Sequence, residues 1–270
     1  MSKIAFIGGG NMSSCIFDGI KRAHKDADDI YVSGPHLEKL AKFADKKAKI
    51  TTSNVEAAKE SDIIFLGVKP QMLTSVLQEL KDNGIDFSAK ILVSMAAGFK
   101  IASIRRLTAA PYIVRIMPST PAKIGLGITG IYFENGIDDK NKKLISSLLE
   151  PLGMLCWLNS EEGINAIGAL AGSAPAFLYR FFEAVEHECI RYGFSQSDAR
   201  KIVEQLGLGT SSMVIHNHET PISALREAVT SKGGTTYEGL QQMTAFKFEE
   251  MIEEVFKACM KKTHLFEEMF

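Results

Sequence analysis

Residues 3–14, KIAFIGGGNMSS, decide the fold of this chain. The run IAFI is apolar and has the length of a buried strand, and three glycines follow it directly. Gly8, Gly10 and Ser13 are spaced as G-x-G-x-x-small, which is typical of a tight turn from a strand into a helix. Such a turn forms without any ligand, but its open backbone also suits the binding of a phosphate group at the start of the helix.

The alternation of strand and helix continues outward from this turn to about residue 160. Short apolar runs rich in β-branched residues are separated by polar, helix-like segments, which predicts βαβ units and a mostly parallel sheet. Helix starts are marked by Ser53 with Glu56, a capping box, and by Pro70 at a first helical position. The predicted strands are KIAFIG, DIYVSG, DIIFLGV, KILVSMAAG, YIVRIM and GITGIYF.

From about residue 161 the strand-like runs disappear, and the remaining pattern predicts helices alone. Ser195 with Asp198, and Thr220 before Pro221, are the predicted caps. The sequence therefore predicts an α/β, Rossmann-like domain with a mostly parallel sheet at residues 1–160, followed by an all-helical domain at residues 161–270. The predicted helices cover residues 162–192, 195–216, 221–229, and 234–270 with a break near Thr244.

Composition and charge exclude several classes of protein. The 270 residues are 46% hydrophobic with a net charge of −1, so no basic field predicts binding to nucleic acid. The four cysteines have no metal-binding spacing, and without a signal peptide they indicate reduced thiols in a cytoplasmic protein. Residues 163–179, GINAIGALAGSAPAFLY, are uncharged but shorter than the roughly 20 residues of a membrane span. They predict a buried helix in a soluble protein that does not bind a membrane.

In this alternating half of the chain, the glycine turn predicts a dinucleotide site. Gly8 permits the turn, and Gly10 lets backbone amides approach a pyrophosphate. Asn11 and Met12 begin the helix whose positive end faces the phosphates. Ser13 is small enough to keep that helix close to the sheet.

The end of the second predicted strand indicates which dinucleotide binds. NAD sites usually have an acid there, which binds the ribose hydroxyls. Here Ser33 is followed by Gly-Pro-His, whereas Asp28 and Asp29 precede the strand and so lie at its other end. The lack of an acid, with Ser33, His36 and Lys39 nearby, favours NADPH, with NADH as the alternative.

Three further segments follow predicted strands, at the edge of a parallel sheet where ligands bind. Any one of them alone is typical of an ordinary strand-to-helix turn. Ala96, Ala97 and Gly98 are small enough to admit a flat ring close to the backbone. The other predicted cofactor-binding residues in these segments are Val68, Lys69 and Pro70 of GVKPQ, and Pro118 and Ser119 of VRIMPSTPA.

A second unusual stretch, VTSKGGTT at residues 229–236, lies between two predicted helices. One interpretation is a helix stop at the glycines followed by a threonine cap, which needs no ligand. The other is an anion pocket, in which Gly233 and Gly234 expose amides where the last helix begins and Ser231 and Thr235 add donors. A helix stop and a cap leave three of the four hydroxyls unexplained, which favours the anion pocket.

Taken in order, GGGNM, VKPQ, AAG, MPSTP, AGSAPAF and VTSKGGTT resemble the motifs of the pyrroline-5-carboxylate reductase family. The resemblance implies reduction of 1-pyrroline-5-carboxylate to L-proline by NAD(P)H, the last step of proline biosynthesis. It also implies a helical dimerisation domain, a homodimer or higher homo-oligomer, and an active site between the two domains near the dimer interface. By the same resemblance, the Thr236 hydroxyl meets the imine nitrogen of the substrate, beside Ser231, Gly233, Gly234 and Thr235.

Four positions depart from the pattern of the family. Ser119 replaces an asparagine, Ala174 a glycine, Phe177 a tyrosine and Lys232 a proline. None of these changes removes a hydroxyl from residues 229–236, so we expect them to affect fine geometry. Lys232 could also change the rigidity of the loop, or add positive charge near a carboxylate.

The motifs contain no evident general acid, so we expect catalysis to rest on positioning and charge complementarity, with the cofactor supplying the chemistry. The sequence HNH at residues 216–218 lacks a third ligand with sensible spacing, and no metal site is predicted. Two rival hypotheses stay open at this point. One is an NADPH reductase of a hydroxy acid with Lys232 as acid or base, and the other is a non-catalytic nucleotide sensor on the same fold.

Overall fold

A computed structural model describes residues 2–24, 29–134 and 136–269 of the protein. In this part of the chain, eight strands form one sheet in the order β3-β2-β1-β4-β5-β6-β7-β8. The strands are β1 (Ile4–Ile7), β2 (Ile30–Ser33), β3 (Lys49–Thr51), β4 (Ile63–Leu66), β5 (Ile91–Ser94), β6 (Tyr112–Pro118), β7 (Gly127–Phe133) and β8 (Gly153–Trp157).

The sheet is mostly parallel, as predicted. Strands β1 to β6 pair in parallel, β7 is antiparallel to β6, and β8 is parallel to β7. Because β1 lies between β2 and β4, the order of the strands reverses at β1, which is the switch point where open α/β sheets bind ligands. All six predicted strands are confirmed. The sequence reading missed β3, an edge strand of three residues, and β8, the strand at the opposite edge.

Helices pack on both faces of the sheet. Ile4 and Phe6 of β1 belong to one buried cluster, and the alternate residues Ala5 and Ile7 belong to another. The first cluster includes residues of α1 (Asn11–Ala23), α2 (Leu37–Ala44) and α6 (Asp139–Leu149). The second includes residues of α3 (Asn54–Lys59), α4 (Pro70–Asp82) and α5 (Ile101–Thr108). Two short 3₁₀ segments cover Thr120–Ile124 and Glu150–Leu152.

Most of the predicted helix caps are confirmed. The Ser53 hydroxyl accepts from the amide of Glu56 at 3.1 Å, but the capping box is incomplete, because the Ser53 amide donates to the Thr51 hydroxyl instead of to the Glu56 carboxylate. Pro70 is the first residue of α4. The Ser195 hydroxyl accepts from the amide of Asp198 at 3.1 Å. The predicted Thr220 cap is wrong, because Pro221 occupies the N-cap position and no side chain caps that helix.

The helical part begins with α7 (Glu162–Ile167), a π-helical turn at Gly168–Gly172 and α8 (Ala174–Arg191). The predicted continuous helix over residues 162–192 is therefore interrupted where glycines cluster before Pro175. The helical part of the chain continues with α9 (Gln196–His216), α10 (Ile222–Ala228), α11 (Thr235–Ala245) and α12 (Phe248–Glu267). The predicted break near Thr244 is confirmed by Lys247, whose φ of 54° separates α11 from α12.

The chain divides into two compact units. One consists of Met1–Pro175 with Cys259–Phe270, and the other of Ala176–Ala258. The last turns of α12 therefore belong to the first unit. The boundary near residue 160 stays a prediction of domain organisation.

Residues 163–179 are not the fully buried helix that we predicted. Ile164 and Ala169 are buried, but Leu170, Leu178 and Tyr179 are more than half exposed in the single chain, at 53%, 56% and 60%. Apolar side chains of this size have no partner within the described part of one protomer that would cover them. Of the helices in the described residues, none combines the length and the apolar character that crossing a membrane requires.

Candidate functional site

The glycine turn joins β1 to α1 in the way that the sequence predicts. Gly8 has a φ of 101°, and a Cβ atom there would lie 2.8 Å from the carbonyl carbon of Gly67. Only glycine satisfies both conditions. At Gly10 the nearest described atom to a Cβ would be the Gly67 oxygen at 3.8 Å, an ordinary contact. The protein itself therefore does not require a glycine at position 10, and the space beside it is open to a ligand.

The start of α1 has the features of an anion site. No acidic residue lies in its first turn, and no side chain caps it at the N-cap position, Gly10. The first amides of a helix have no partner within the helix, so those of Asn11 and Met12 are available to a phosphate. Ser13 is buried against Gly67, where a Cβ atom would come within 2.1 Å of its hydroxyl oxygen. The small side chain of Ser13 thus brings α1 close to the sheet, as predicted.

The sheet register brings several predicted cofactor residues to one edge. Leu66, the last residue of β4, pairs with Ile7 of β1 and with Ser94 of β5. The turns that follow these strands therefore lie side by side. They contain Gly8–Gly10, then Val68, Lys69 and Pro70, then Ala96, Ala97 and Gly98. Helices α4 and α5, which follow two of these turns, also have no acidic residue in their first turns.

The end of β2 differs from the prediction in one respect. Ser33 is fully buried, and its hydroxyl donates to Oδ1 of Asn54 at 2.8 Å instead of facing a ribose. His36, the N-cap residue of α2, is exposed, as is Lys39. Asp29 lies at the other end of β2, as predicted, where a hydrogen bond from Lys49 lowers the pKa of its carboxyl group. Asp28 lies outside the described residues.

Pro118 and Ser119 lie at the end of β6 and are buried. The Ser119 hydroxyl accepts from the amide of Ile128 at 2.8 Å, and the Ser119 amide donates to the Ile128 carbonyl at 2.9 Å. This position, where the sequence departs from the family pattern, therefore uses its side chain to extend the pairing with β7. The geometry shows a structural role for Ser119, and cofactor binding there stays a prediction.

The sequence did not predict the ion pair between Arg115 and Glu161, which lies beside the turn that follows β5. Arg115 of β6 is 1% exposed, and its Nη1 donates to Oε1 of Glu161 at 2.8 Å. Its Nη2 lies 3.5 Å from the carbonyl oxygen of Ala96. The one available signal was an arginine within the apolar run YIVRIM, since a buried charge needs a partner.

Residues 229–234 form the turn between α10 and α11, and Thr235 and Thr236 begin α11. Gly233 has a φ of 73°, and Gly234 is the N-cap residue of α11. A Cβ atom at Gly234 would lie 2.5 Å from the hydroxyl oxygen of Ser231. The amide of Gly234 donates to the Ser231 carbonyl at 3.0 Å, which corrects the prediction that this amide is exposed to a ligand. The available amides are those of the first turn of α11, beginning with Thr235 and Thr236.

The hydroxyls of this loop bear on its two interpretations, and the anion pocket stays a prediction. Thr230 donates to the carbonyl of Arg226 at 2.7 Å, which closes the end of α10. Ser231, Thr235 and Thr236 are exposed and make no side-chain hydrogen bond within the described part of the chain, and no side chain caps α11. The helix stop therefore uses one hydroxyl of four. Three donors remain beside free amides, although Glu238 in the first turn of α11 adds a negative charge.

The chain is similar to known proteins over nearly its whole length. A pyrroline-5-carboxylate reductase from Vibrio alginolyticus is 38% identical over 270 residues, which cover 99% of this chain and 98% of that protein. The chain belongs to the pyrroline-5-carboxylate reductase family. The family's enzyme from Pasteurella multocida is 36% identical over 272 residues, with the same coverage of both chains.

Two solved structures and two domain families extend this result. The pyrroline-5-carboxylate reductase from Coxiella burnetii has a TM-score of 0.87 at 31% identity, and 98% of each chain is covered. The Plasmodium falciparum pyrroline carboxylate reductase, solved with NADP bound, has a TM-score of 0.88 at 25% identity and the same coverage. Residues 3–98 match the family "NADP oxidoreductase coenzyme F420-dependent", and residues 161–265 match "Pyrroline-5-carboxylate reductase dimerisation".

The dimerisation domain supports a homo-oligomer and accounts for the exposed apolar surface of the second unit. Large apolar side chains there have no cover within the described residues of one protomer, which is typical of a surface that binds another chain. Phe177, where the family has tyrosine, instead packs edge-on against Phe256 at a centroid distance of 5.9 Å. The exposed residues of this unit are Leu178, Tyr179, Phe181, Leu208, Met213, Ile215, Ile222, Val229, Phe246 and Met251, among others.

Proposed function

We propose that this protein reduces 1-pyrroline-5-carboxylate to L-proline with a hydride from NADPH, the last step of proline biosynthesis. The observation that carries the proposal is the 38% identity, over 99% of the chain, with a pyrroline-5-carboxylate reductase. The two candidate regions support it, because one suits a dinucleotide and the other suits a small carboxylate.

The dinucleotide is proposed to bind along the edge of the sheet where β1, β4 and β5 end. The fit is supported by Gly10, where a Cβ atom would meet no described atom closer than the Gly67 oxygen at 3.8 Å but would fill the space beside the free amides of α1. We assign the pyrophosphate to Gly8, Gly10, Asn11 and Met12. The proposed neighbours of the rest of the cofactor are Val68, Lys69, Pro70, Ala96, Ala97, Gly98, Pro118 and Ser119.

NADPH is preferred over NADH in this proposal for two reasons. Within the described residues, no acid follows β2 at the position where it would bind ribose hydroxyls and repel a 2′-phosphate. The solved Plasmodium falciparum relative has NADP bound. His36 and Lys39, exposed at the start of α2, are the residues that we expect near the phosphate.

The substrate is proposed to bind at residues 231–236. Its carboxylate accepts hydrogen bonds from the first amides of α11 and from the hydroxyls of Ser231 and Thr235, with Gly233 and Gly234 giving the loop its shape. Lys232 is the only positive charge in this loop and offsets the charge of Glu238. The hydroxyl of Thr236 then lies within hydrogen-bonding distance of the imine nitrogen.

Catalysis in this scheme rests on orientation. The bound nicotinamide supplies a hydride to the imine carbon. Reduction of the imine needs one proton, which is supplied by solvent; Thr236 orients the imine nitrogen and relays this proton to it, and the carboxylate contacts prevent the ring from rotating. A protonated imine carries more positive charge on its carbon and accepts the hydride more readily, and in this scheme its N–H donates to the Thr236 hydroxyl oxygen.

We further propose that the active form is a homodimer or a higher homo-oligomer, assembled through the dimerisation domain, and that it acts in the cytoplasm. The four cysteines are free, as expected in a reducing compartment.

The test is absorbance-monitored oxidation of NADPH with 1-pyrroline-5-carboxylate as the only added substrate, with the product identified as proline. We expect turnover with both cofactors and a higher kcat/KM with NADPH than with NADH. Binding of NADPH without turnover of the imine would contradict the proposal and would support a nucleotide sensor.

A further inference from the structure

The turn between β5 and α5, residues 95–100, is held by side chains from distant parts of the chain. We call it the β5 turn. It contains three of the proposed cofactor residues, and Gly98 within it has a φ of 73°. Ala96 and Phe99 are buried. The strand pairing of β5 ends at Ser94. Beyond it, the Ala96 amide donates to the Ser94 hydroxyl at 3.4 Å, and side chains from distant parts of the chain contact the turn as well.

One set of contacts comes from β6 and the start of α7. Arg115 lies beside Ser94 in the sheet register and approaches the Ala96 carbonyl with Nη2 at 3.5 Å. Its Nη1 donates to Glu161, and the same Glu161 oxygen accepts from the amide of Ile101 at 2.7 Å. Arg115 and Glu161 therefore tie both ends of the β5 turn, and the carboxylate neutralises the buried guanidinium.

A second set comes from the end of α12. A Cβ atom at Gly98 would lie 2.6 Å from Cβ of Phe266, so only glycine lets α12 come this close. Nζ of Lys100 lies 3.2 Å from Oε2 of Glu267, and the Asn165 amide donates to Oε1 of Glu267 at 2.8 Å. The Glu267 side chain is only 9% exposed, so its ion pair with Lys100 is shielded from water on one side.

The charge on Glu267 is stabilised where it lies. Burial alone would raise the pKa of this carboxyl group. The hydrogen bonds from Asn165 and Lys100, together with the charges of Lys100 and Arg115, outweigh burial and hold the pKa below its ordinary value. Glu267 is therefore ionised when the enzyme works near neutral pH.

A metal ion is the other use that this cluster suggests. Ligand atoms of Glu162, His264 and Glu267 lie within 4.8 Å of one another. However, both carboxylate oxygens of Glu267 already face N–H donors, the Lys100 ammonium and the Asn165 amide. An ammonium group in this position competes with a cation, so the cluster functions as an ion-pair network.

We propose that Glu267 is a positioning residue, which holds the β5 turn through Lys100 while Phe266 packs on Gly98, and so sets the binding of the nicotinamide end of the cofactor. This rests on the proposed function, together with the prediction from sequence that Ala96, Ala97 and Gly98 admit the flat nicotinamide ring. In the sheet order β2-β1-β4-β5, the β5 turn and the end of β2 lie on opposite sides of the glycine turn. A loosened β5 turn therefore affects the nicotinamide end and not the adenosine end.

The experiment compares the wild-type protein with Glu267→Gln, Lys100→Met, the double variant and the matched control Glu268→Gln. Glu268 is the exposed neighbour of Glu267 on the same turn. For each protein, affinity is measured for NADPH and for 2′-phospho-ADP-ribose, a fragment that lacks the nicotinamide. KM and kcat with 1-pyrroline-5-carboxylate are measured as well, with thermal unfolding as the check on folding.

We expect Glu267→Gln and Lys100→Met each to weaken NADPH binding by about three- to tenfold and to lower kcat, as expected for one charged hydrogen bond acting indirectly. The double variant should be no worse than either single change, since both remove the same ion pair. Fragment affinity should match the wild type in every variant, and Glu268→Gln should match it in every measurement.

Three results would count against the proposals, and they are distinguishable. A wild-type protein that does not reduce the imine contradicts the proposed function. A wild-type protein that is active, with unchanged NADPH affinity and kcat in Glu267→Gln, overturns the positioning role alone. Equal losses for NADPH and the fragment also overturn it, because they indicate a general loss of structure.

Discussion

The two glycine turns of this molecule have similar backbones but different surroundings. In each, a glycine with positive φ is followed by an extended glycine at the N-cap of a helix: Gly8 and Gly10 before α1, Gly233 and Gly234 before α11. A Cβ atom at Gly8 would meet the backbone of Gly67, whereas none of the described atoms lies within 4 Å of one at Gly233. The first turn is fixed by the sheet, and the second is an exposed loop rich in hydroxyl donors.

This difference predicts how each turn would bind the ligand that is proposed for it. A turn fixed by packing presents backbone amides in one geometry, which suits the pyrophosphate that all dinucleotides share. A loop with free hydroxyls presents side-chain donors, which suits a small ligand recognised atom by atom.

Gly8→Ala and Gly233→Ala should differ most. At Gly8 the new methyl group would overlap the Gly67 backbone as well as strain a φ of 101°, so we expect a loss of more than about 3 kcal/mol in the free energy of unfolding. At Gly233 only the φ strain applies, and about 1–2 kcal/mol is expected. Urea unfolding of both variants measures this, and equal losses would show that packing does not distinguish the turns.

Gly10→Ala should separate ligand binding from folding. Its Cβ atom would make only an ordinary contact at 3.8 Å, so the free energy of unfolding should change by less than about 1 kcal/mol. The methyl group would occupy the proposed phosphate space, and NADPH affinity should fall by about tenfold or more. Fluorescence titration with NADPH is the measurement. If this variant binds NADPH with wild-type affinity, the pyrophosphate does not bind at the glycine turn.

Thr236→Ala should reduce kcat/KM for the imine by roughly 10- to 100-fold without changing NADPH affinity, because the hydroxyl is proposed to bind the substrate nitrogen. Thr236→Ser retains the hydroxyl and is the matched control, expected to keep most of the activity. Steady-state kinetics of both variants checks this role. If serine and alanine variants are equally impaired, the methyl group matters and the hydroxyl does not.

The smallest effect concerns pH and the Glu267 ion pair. A carboxyl group with a lowered pKa in the folded protein stabilises it fully above the unfolded pKa, 4.5 for this residue type, and loses that contribution as pH falls through the folded pKa. The stability difference between the wild type and Glu267→Gln should therefore be greatest above pH 4.5 and should shrink below it. Urea unfolding across this range tests the sign, and a difference that grows on acidification would contradict it.

The sequence predicts elements that depend on local pattern. The six apolar runs became strands, and Ser53, Pro70 and Ser195 mark helix starts, because each signal lies within a few residues of the feature that it determines. Weak edge strands were not predicted from the sequence, since β3, for example, has only three residues. The resemblance to the family supplied the expected order of the motifs and the proposed role of residues 229–236.

What the sequence did not predict depends on partners distant in the chain. The Ser33 hydroxyl binds Asn54, and Arg115 finds its carboxylate in Glu161. Gly9, between the two glycines of the motif, packs closely against α2, because a Cβ atom there would lie 2.3 Å from Cδ2 of Leu40 and 3.1 Å from the ring of Phe43. The spacing of glycines does not reveal which of them packs against a neighbour and which leaves space for a ligand.

The reaction proposed for this protein is a hydride transfer from the cofactor to the imine. NADPH that carries deuterium at the transferable position of the nicotinamide makes this transfer visible. After incubation with 1-pyrroline-5-carboxylate and the wild-type protein, mass spectrometry should find proline with one deuterium at the former imine carbon. Proline without deuterium, or no proline while NADPH remains bound, would contradict the account.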